Sequence, residues 1–305
     1  MIPVTPLTHL VADAEAICNF GHTTVTRHAF TVSGRSYARC NACGLYFRYP
    51  RFKVVPYVER YRKEYYKTNP QRYDLLVREE PFRAALDQLE RFLPQRGRIL
   101  DVGCGPGGFL ELCARRGWQV QGLDLSEIAA TIASFRLGIE VFCGMLEETH
   151  YPDRAFDAAT LLNVLDSTPS PSATIEEICR ILRPGGVLLI RSPNAAVHRF
   201  LEPLLRPFGL VDRLLVFHPY CFTADCLQTV LAEKGCEVLA VRNAALSYGD
   251  PDGVLPLGDK VMNVIKRSIY AVAQGVYHMT AGRLLISPNM EVLVRRPFLP
   301  GTDGG

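Results

Sequence analysis

Two carboxylates and three alternating glycines are the densest chemical signal in the chain: Asp101, then Gly103, Gly105 and Gly107, with Asp124 downstream. Glycines at such positions let main-chain amides approach a ligand, and a positive φ costs glycine little. A pyrophosphate turn uses the spacing G-x-G-x-x-G. Here the spacing differs, and an acid two residues ahead of the first glycine repels a pyrophosphate but suits a cation. A second group, Cys18, His22, Cys40 and Cys43, has the donor chemistry of tetrahedral zinc. His218 is a third signal, because histidine changes charge near neutral pH and can act as a general base.

These residues need elements to hold them. Arg98 to Val102 reads as a strand, the glycines as its turn, and Phe109 to Arg116 as the helix that follows. A helix is expected ahead of the strand, from Tyr73 to Leu93. Trp118 to Asp124 reads as the second strand and Ile139 to Cys143 as the third. Phe156 to Leu162 is the fourth, and a helix over Ile175 to Leu182 breaks at Arg183-Pro184-Gly185-Gly186 before the strand Val187 to Arg191. Cys236 to Val241 and Met290 to Arg295 complete seven strands. Asp124 at a strand end suits the two hydroxyls of a ribose. The alternative is a helix N-cap, a task Ser126 could also take.

Together, Asp101-x-Gly103-x-Gly105-x-Gly107, Asp124, the Pro-Gly-Gly break and Ser192-Pro193-Asn194 resemble the class I S-adenosylmethionine-dependent methyltransferases. The resemblance covers about residues 70 to 243, and implies an α/β fold: a Rossmann-like, doubly wound seven-stranded sheet. It also implies the site. Gly103, Cys104, Gly105 and Gly107 would lie against the methionyl and ribose parts of the cofactor, Asp101 would serve its amino end, and Asp124 with Leu125 its ribose. Met145 and Leu146 would form an apolar surface for adenine, with the Met145 amide reading the ring edge, and Asn163 would reach the cofactor. Relatives often read V-L-E-H at the fourth strand's end, whereas this chain reads Val164-Leu165-Asp166-Ser167. A hydroxyl acceptor therefore needs another base, for which His218 and Asp166 are the candidates; a structural histidine is the competing reading of His218.

The first 52 residues resemble the zinc ribbon that precedes the catalytic domain in some small-molecule methyltransferases. Cys40-Asn41-Ala42-Cys43-Gly44 has the form of a knuckle, and residues 25 to 39 read as a hairpin. Gly21 stands where a fourth cysteine would be expected, so His22 is the proposed substitute and His28 a poorer one. A degenerate ribbon held by packing alone is the alternative. Four protein ligands leave no open position, so the metal would be structural.

The expected organisation is a ribbon over 1–52, a helical connector over 53–96 and the methyltransferase domain over 97–300. Within the last, 195–235 and 244–289 read either as lids over the acceptor or as ordinary helical packing. Tyr57, Arg60, Tyr61, Tyr65, Tyr66 and Lys67 could touch nucleic acid, but Glu59 and Glu64 among them favour a packed connector. Net charge is +3 with the basic residues dispersed, which leaves no footprint for nucleic acid. The N-terminus has prolines where a signal peptide needs an apolar core, and no apolar run is long enough for a bilayer. A cytoplasmic protein acting on a small molecule is expected. The helix around 261–272 could rest on a membrane surface, although packing against the lid is the favoured reading. Of the ten cysteines, Cys104, Cys113, Cys143, Cys179, Cys226 and Cys236 are expected to be buried thiols. O-methylation is slightly favoured over N- or C-methylation. The rivals are a nicotinamide-dependent oxidoreductase and a catalytically altered module that docks a partner through the ribbon.

Overall fold

Strands buried on both faces should read as nearly continuous apolar runs, and the centre of this chain does. The computed structural model describes residues 17–51, 54–63, 78–246 and 259–298. Residues 1–16, the start of the expected helix at 73–77, Tyr65, Tyr66, Lys67 and Gly301 to Gly305 lie outside the described residues, as does the side chain of Tyr57. Strands β1 (Val25–Val32), β2 (Arg35–Cys40) and β3 (Tyr46–Arg48) come first, followed by helices α1 (Val54–Lys63) and α2 (Glu79–Phe92). Then β4 (Arg98–Val102), α3 (Gly108–Arg115), β5 (Gln119–Asp124) and α4 (Glu127–Leu137) alternate. Strands β6 (Phe142–Cys143) and β7 (Phe156–Leu162), helix α5 (Pro171–Ile181) and strand β8 (Leu182–Pro193) follow. The remaining elements are α6 (Ala195–Leu205), α7 (Val211–Leu214), β9 (Tyr220–Cys221), α8 (Ala224–Glu233), β10 (Glu237–Asn243), α9 (Asp259–Met279) and β11 (Asn289–Arg295).

Seven strands form one sheet in the order β10-β11-β8-β7-β4-β5-β6. The strands from β8 to β6 pair in parallel, while β11 runs antiparallel to both β8 and β10. One face packs Leu100, Leu188, Ile190 and Val292 under Ile175 and Ile178 of α5 and Leu227, Val230 and Leu231 of α8. The other packs Ile99, Leu189 and Leu293 under Leu86 and Leu89 of α2 and Phe109 of α3. Covered faces leave the strand ends as the place where polar groups gather.

A second sheet, in the order β1-β2-β3-β9, joins the N-terminal hairpin to a strand from the far half of the chain. Tyr46 pairs with Cys221 and Phe47 with Tyr220. Phe30, Tyr37 and Tyr46 pack on Ala195, Val211, Leu215 and Phe217, and Cys18, Leu45 and Phe47 belong to the main core.

Three expectations change. The third strand shrinks to Phe142–Cys143, because the Val141 N–H donates to Ser134 Oγ at 3.0 Å and the Glu140 carbonyl accepts from Gln121 Nε2 at 3.1 Å. The Pro-Gly-Gly segment is not a turn before the strand: pairing begins at Phe156 with Leu182 and resumes at Ala158 with Val187, so residues 183–186 form a bulge within β8. Its edge is satisfied by β11's continuation, Gly185 N–H donating to Arg296 O at 2.9 Å and Arg296 N–H to Gly186 O at 2.8 Å. Cys143 is exposed and Cys179 half-buried rather than buried, Cys143 lying on the short edge strand β6. Along α9, Val261, Val264, Ile265, Ile269 and Val272 face solvent, and among the residues described there only Ala273 is buried. No helix among the described residues is long and apolar enough to cross a membrane.

Candidate active site

The turn after β4 brings the sequence signals together. Gly103 takes φ +73° and Gly105 φ +55°. A Cβ at Gly103 would lie 2.5 Å from Val164 Cγ2, so the position is closed to other residues by conformation and by space. The N–H groups of Gly103 and Cys104 donate to Leu123 O at 2.8 and 2.9 Å, which locks the turn onto β5. Gly107 caps α3 in the left-handed region.

Asp124 ends β5 and is buried. Its Oδ2 accepts from Gly105 N–H at 2.8 Å and its Oδ1 from Ser126 N–H at 2.8 Å. The cap of α4 is Ser126, whose side chain accepts from Ala129 N–H, so Asp124 is not consumed as a cap. Asp101 is also buried, and accepts from Thr160 Oγ1 at 2.6 Å. Burial pushes the Asp101 carboxyl up to about 7; the Thr160 hydrogen bond opposes this and the nearby Asp124 adds to it. Burial likewise raises Asp124 to about 6, against the Ser126 and Gly105 amides. Among the described residues no lysine, arginine or histidine neutralises either acid. Two buried carboxylates without a protein cation, beside bare backbone, suit a ligand that carries positive charge. Thr160 was missed in the sequence, where it reads only as one polar residue within an apolar strand.

The remaining cofactor candidates are less uniform. Leu125 is half-buried next to Asp124, and Asn163 is exposed at the end of β7 with φ +62°. The Met145 N–H, expected to read a ring edge, donates to Glu148 Oε2 at 2.7 Å. Leu146 packs in the main core.

Across the strand ends lies a small cleft lined by residues that include Asp166, Ser192, Ala195, Val216, His218 and Tyr220. His218 Nε2 approaches Asp166 Oδ2 at 3.1 Å, and its Nδ1 lies 3.2 Å from Ser167 Oγ. Asp166 is 1 % exposed, and no hydrogen bond is aligned on either of its oxygens among the described residues. Burial raises its pKa, with His218 opposing. The imidazole absent from position 167 thus arrives in space from position 218, between α7 and β9. β9 holds it there, pairing with β3 and contributing Tyr220, whose hydroxyl donates to Pro169 O at 3.2 Å.

The second signal also converges. One ligating atom from each of Cys18, His22, Cys40 and Cys43 lies within 4.8 Å of the others. Cys18 Sγ and Cys43 Sγ are 3.6 Å apart, and Cys40 Sγ is 3.5 Å from His22 Nδ1. Tetrahedral zinc with bonds of about 2.3 Å to sulfur and 2.0 Å to nitrogen has edges of roughly 3.5–3.8 Å. The amides of Phe20 and Cys43 point at Cys18 Sγ and Cys40 Sγ, each at 3.5 Å. Hydrogen bonds from the Cys18 and Cys226 thiols hold Cys43 far below the ordinary thiol range. The donor set fits a zinc ion. His28 is exposed on β1 and outside the cluster.

A parallel sheet with an antiparallel strand inserted before its last member, and a glycine turn flanked by two acids at the strand ends, defines the class I methyltransferase arrangement. Residues 77–241 match the family model described as a methyltransferase domain, and the chain belongs to that family of class I, S-adenosylmethionine-dependent proteins. It is 33% identical over 114 residues to a ubiquinone biosynthesis O-methyltransferase from Alkalilimnicola ehrlichii, a match covering 35% of this chain and 46% of that one. It is 35% identical over 115 residues to its counterpart from Aeromonas salmonicida, covering 35% and 48%. The chain thus spans about half the length of the curated relatives it matches. Among solved structures, the PH0226 protein from Pyrococcus horikoshii superposes with a TM-score of 0.49 at 18% identity, covering 77% of this chain and 99% of that one.

Proposed function

We propose that the protein is an S-adenosylmethionine-dependent O-methyltransferase for a small molecule that carries a hydroxyl. The observation that carries this reading is the pairing of His218 with buried Asp166 at 3.1 Å beside the Ser192–Pro193 end of β8. The cofactor, when bound, supplies a methyl group already activated on a sulfonium. Asp101, Asp124 and the side-chain-free backbone of the 103–107 turn bind and orient it, with Leu125, Met145 and Asn163 at the periphery. Alignment is then the protein's main contribution, through proximity to the acceptor.

A hydroxyl must also lose a proton, and His218 is the group suited to take it. With Nε2 toward Asp166, Nδ1 carries the lone pair and faces Ser167 Oγ, so the acceptor's proton would reach it through that hydroxyl. The buried carboxylate lies where it would stabilise the imidazolium that proton uptake creates. An amine acceptor would not require this pair, so the pair favours oxygen. Ala195, Val216, His218 and Tyr220 of the 195–235 segment form the acceptor side, and the ribbon carries a structural zinc on Cys18, His22, Cys40 and Cys43. Thermal stabilisation by S-adenosylhomocysteine but not by NADH, followed by turnover in a panel of phenols, sugars and polyketides, tests this reading. A shift with NADH alone would reverse it.

A further inference from the structure

The catalytic half of the chain reaches into the cysteine cluster. His22 presents Nδ1 to Cys40 Sγ at 3.5 Å, and its other nitrogen, Nε2, lies 3.2 Å from Glu233 Oε2. That orientation admits one productive tautomer: a lone pair on Nδ1 for a metal, and an N–H on Nε2 donated to the carboxylate. Imidazole ligands are commonly held this way, because the second hydrogen bond fixes both ring and tautomer. Glu233 ends α8, an element that comes late in the sequence, after β8 and β9. The first turn of the same helix carries Cys226, fully buried in the core cluster that also holds Cys18, Cys40 and Cys43. Residues seven apart are two turns apart and share a helix face. The face of α8 that ends in Glu233 thus continues into the core around the ligands, where Leu227, Val230 and Leu231 also lie.

We propose that Glu233 is a positioning residue of the ribbon's metal centre, and that the centre is completed by α8 of the catalytic domain. This rests on the zinc reading above. An ordinary exposed ion pair would not explain why the carboxylate meets the nitrogen that faces away from the cluster. The consequence is mechanical. α8 follows directly on β9 and Phe222, and Ala195 N–H donates to Phe222 O at 2.9 Å. Asn19, within the Cys18 knuckle, accepts from Ser172 N–H at 2.7 Å through Oδ1 and approaches the Tyr220 hydroxyl at 3.5 Å through Nδ2. The centre thus fastens the segment that holds His218.

The full-length chain, purified with zinc, is titrated against a competing chelator beside Glu233→Ala and Glu233→Gln, and each is refilled with cobalt(II) for its visible spectrum. One zinc per chain is expected in all three. Affinity should fall about 10- to 100-fold in Glu233→Ala. The fall should be smaller in Glu233→Gln, which keeps an acceptor oxygen and serves if the alanine variant does not fold. The ligand-field bands should shift in Glu233→Ala while the thiolate charge-transfer band remains. Unchanged affinity and spectrum in both variants overturn the proposal and leave the zinc reading intact. X-ray absorption showing four sulfurs, with Cys226 in place of His22, also overturns it. A wild-type chain that holds no zinc removes the zinc reading itself.

Discussion

The cofactor turn and the acceptor wall are built in opposite ways. The turn takes its parts from one contiguous stretch, Asp101 to Asp124, and among the described residues no cation stands beside its two acids. The wall takes Asp166, Ser192 and His218 from three separate segments, and its polar groups face one another: His218 meets Asp166, and its other nitrogen meets Ser167. A ligand of fixed chemistry can be served by a fixed local motif with charge left open for it. A wall that selects an acceptor is assembled from elements that vary, and depends on other modules to hold it.

The sharpest way to separate the two regions is His218→Ala. Loss of a general base costs about 10²- to 10⁴-fold in turnover. Affinity for S-adenosylhomocysteine, measured by calorimetry, should stay unchanged, since the histidine belongs to the wall alone. Asp124→Ala should do the reverse. It removes the acceptor for two backbone amides and a carboxylate for the ligand, and losing such charge-assisted bonds should weaken the demethylated cofactor by about 100-fold. If both variants lost ligand binding equally, the two regions would be one.

If the cysteine module holds zinc as proposed, its metal should support the wall more than the turn. Stripping the metal with a chelator should lower the melting temperature by about 5–10 °C, as follows when a tightly bound ion is removed from a chain of this size. Hydrogen exchange should quicken over residues 218–222 and stay unchanged over 101–107.

A smaller effect is expected from pH. Asp101 has its carboxyl raised to about 7 in the folded chain, against an unfolded value of about 4. Its contribution to stability is therefore complete below about pH 4 and lost as pH rises through 7. Without ligand, the melting temperature should drop between pH 5 and 8, less steeply in Asp101→Asn. Affinity for a cationic ligand should rise over the same interval, because binding favours the ionised acid.

How much of this could be read in advance divides along the same line. Asp101, the glycines, Asp124 and Ser126 sit in one strand-turn-strand passage, where apolar runs and glycine spacing report local geometry directly. The sequence also displayed Cys18, His22, Cys40 and Cys43, since knuckle spacing is local. It could not display the two-residue β9, whose pairing with β3 joins Tyr220 to Phe47, nor the return of His218 to the space beside Ser167. Short strands carry too few residues for periodicity, and long-range closure leaves no mark in spacing. The bulge at 183–186 was hidden for another reason: glycine and proline signal a break, but they do not say whether the chain turns away or stays beside its neighbour.

The central claim is that a turn with two uncompensated acids binds the cofactor while a separately built wall supplies the base. Calorimetric titration of S-adenosylhomocysteine into wild type, Asp124→Ala and His218→Ala tests it most directly. The account predicts binding in wild type and undiminished in His218→Ala, with about a 100-fold loss in Asp124→Ala. No heat with wild type, or an Asp124→Ala titration that matches it, would contradict the account.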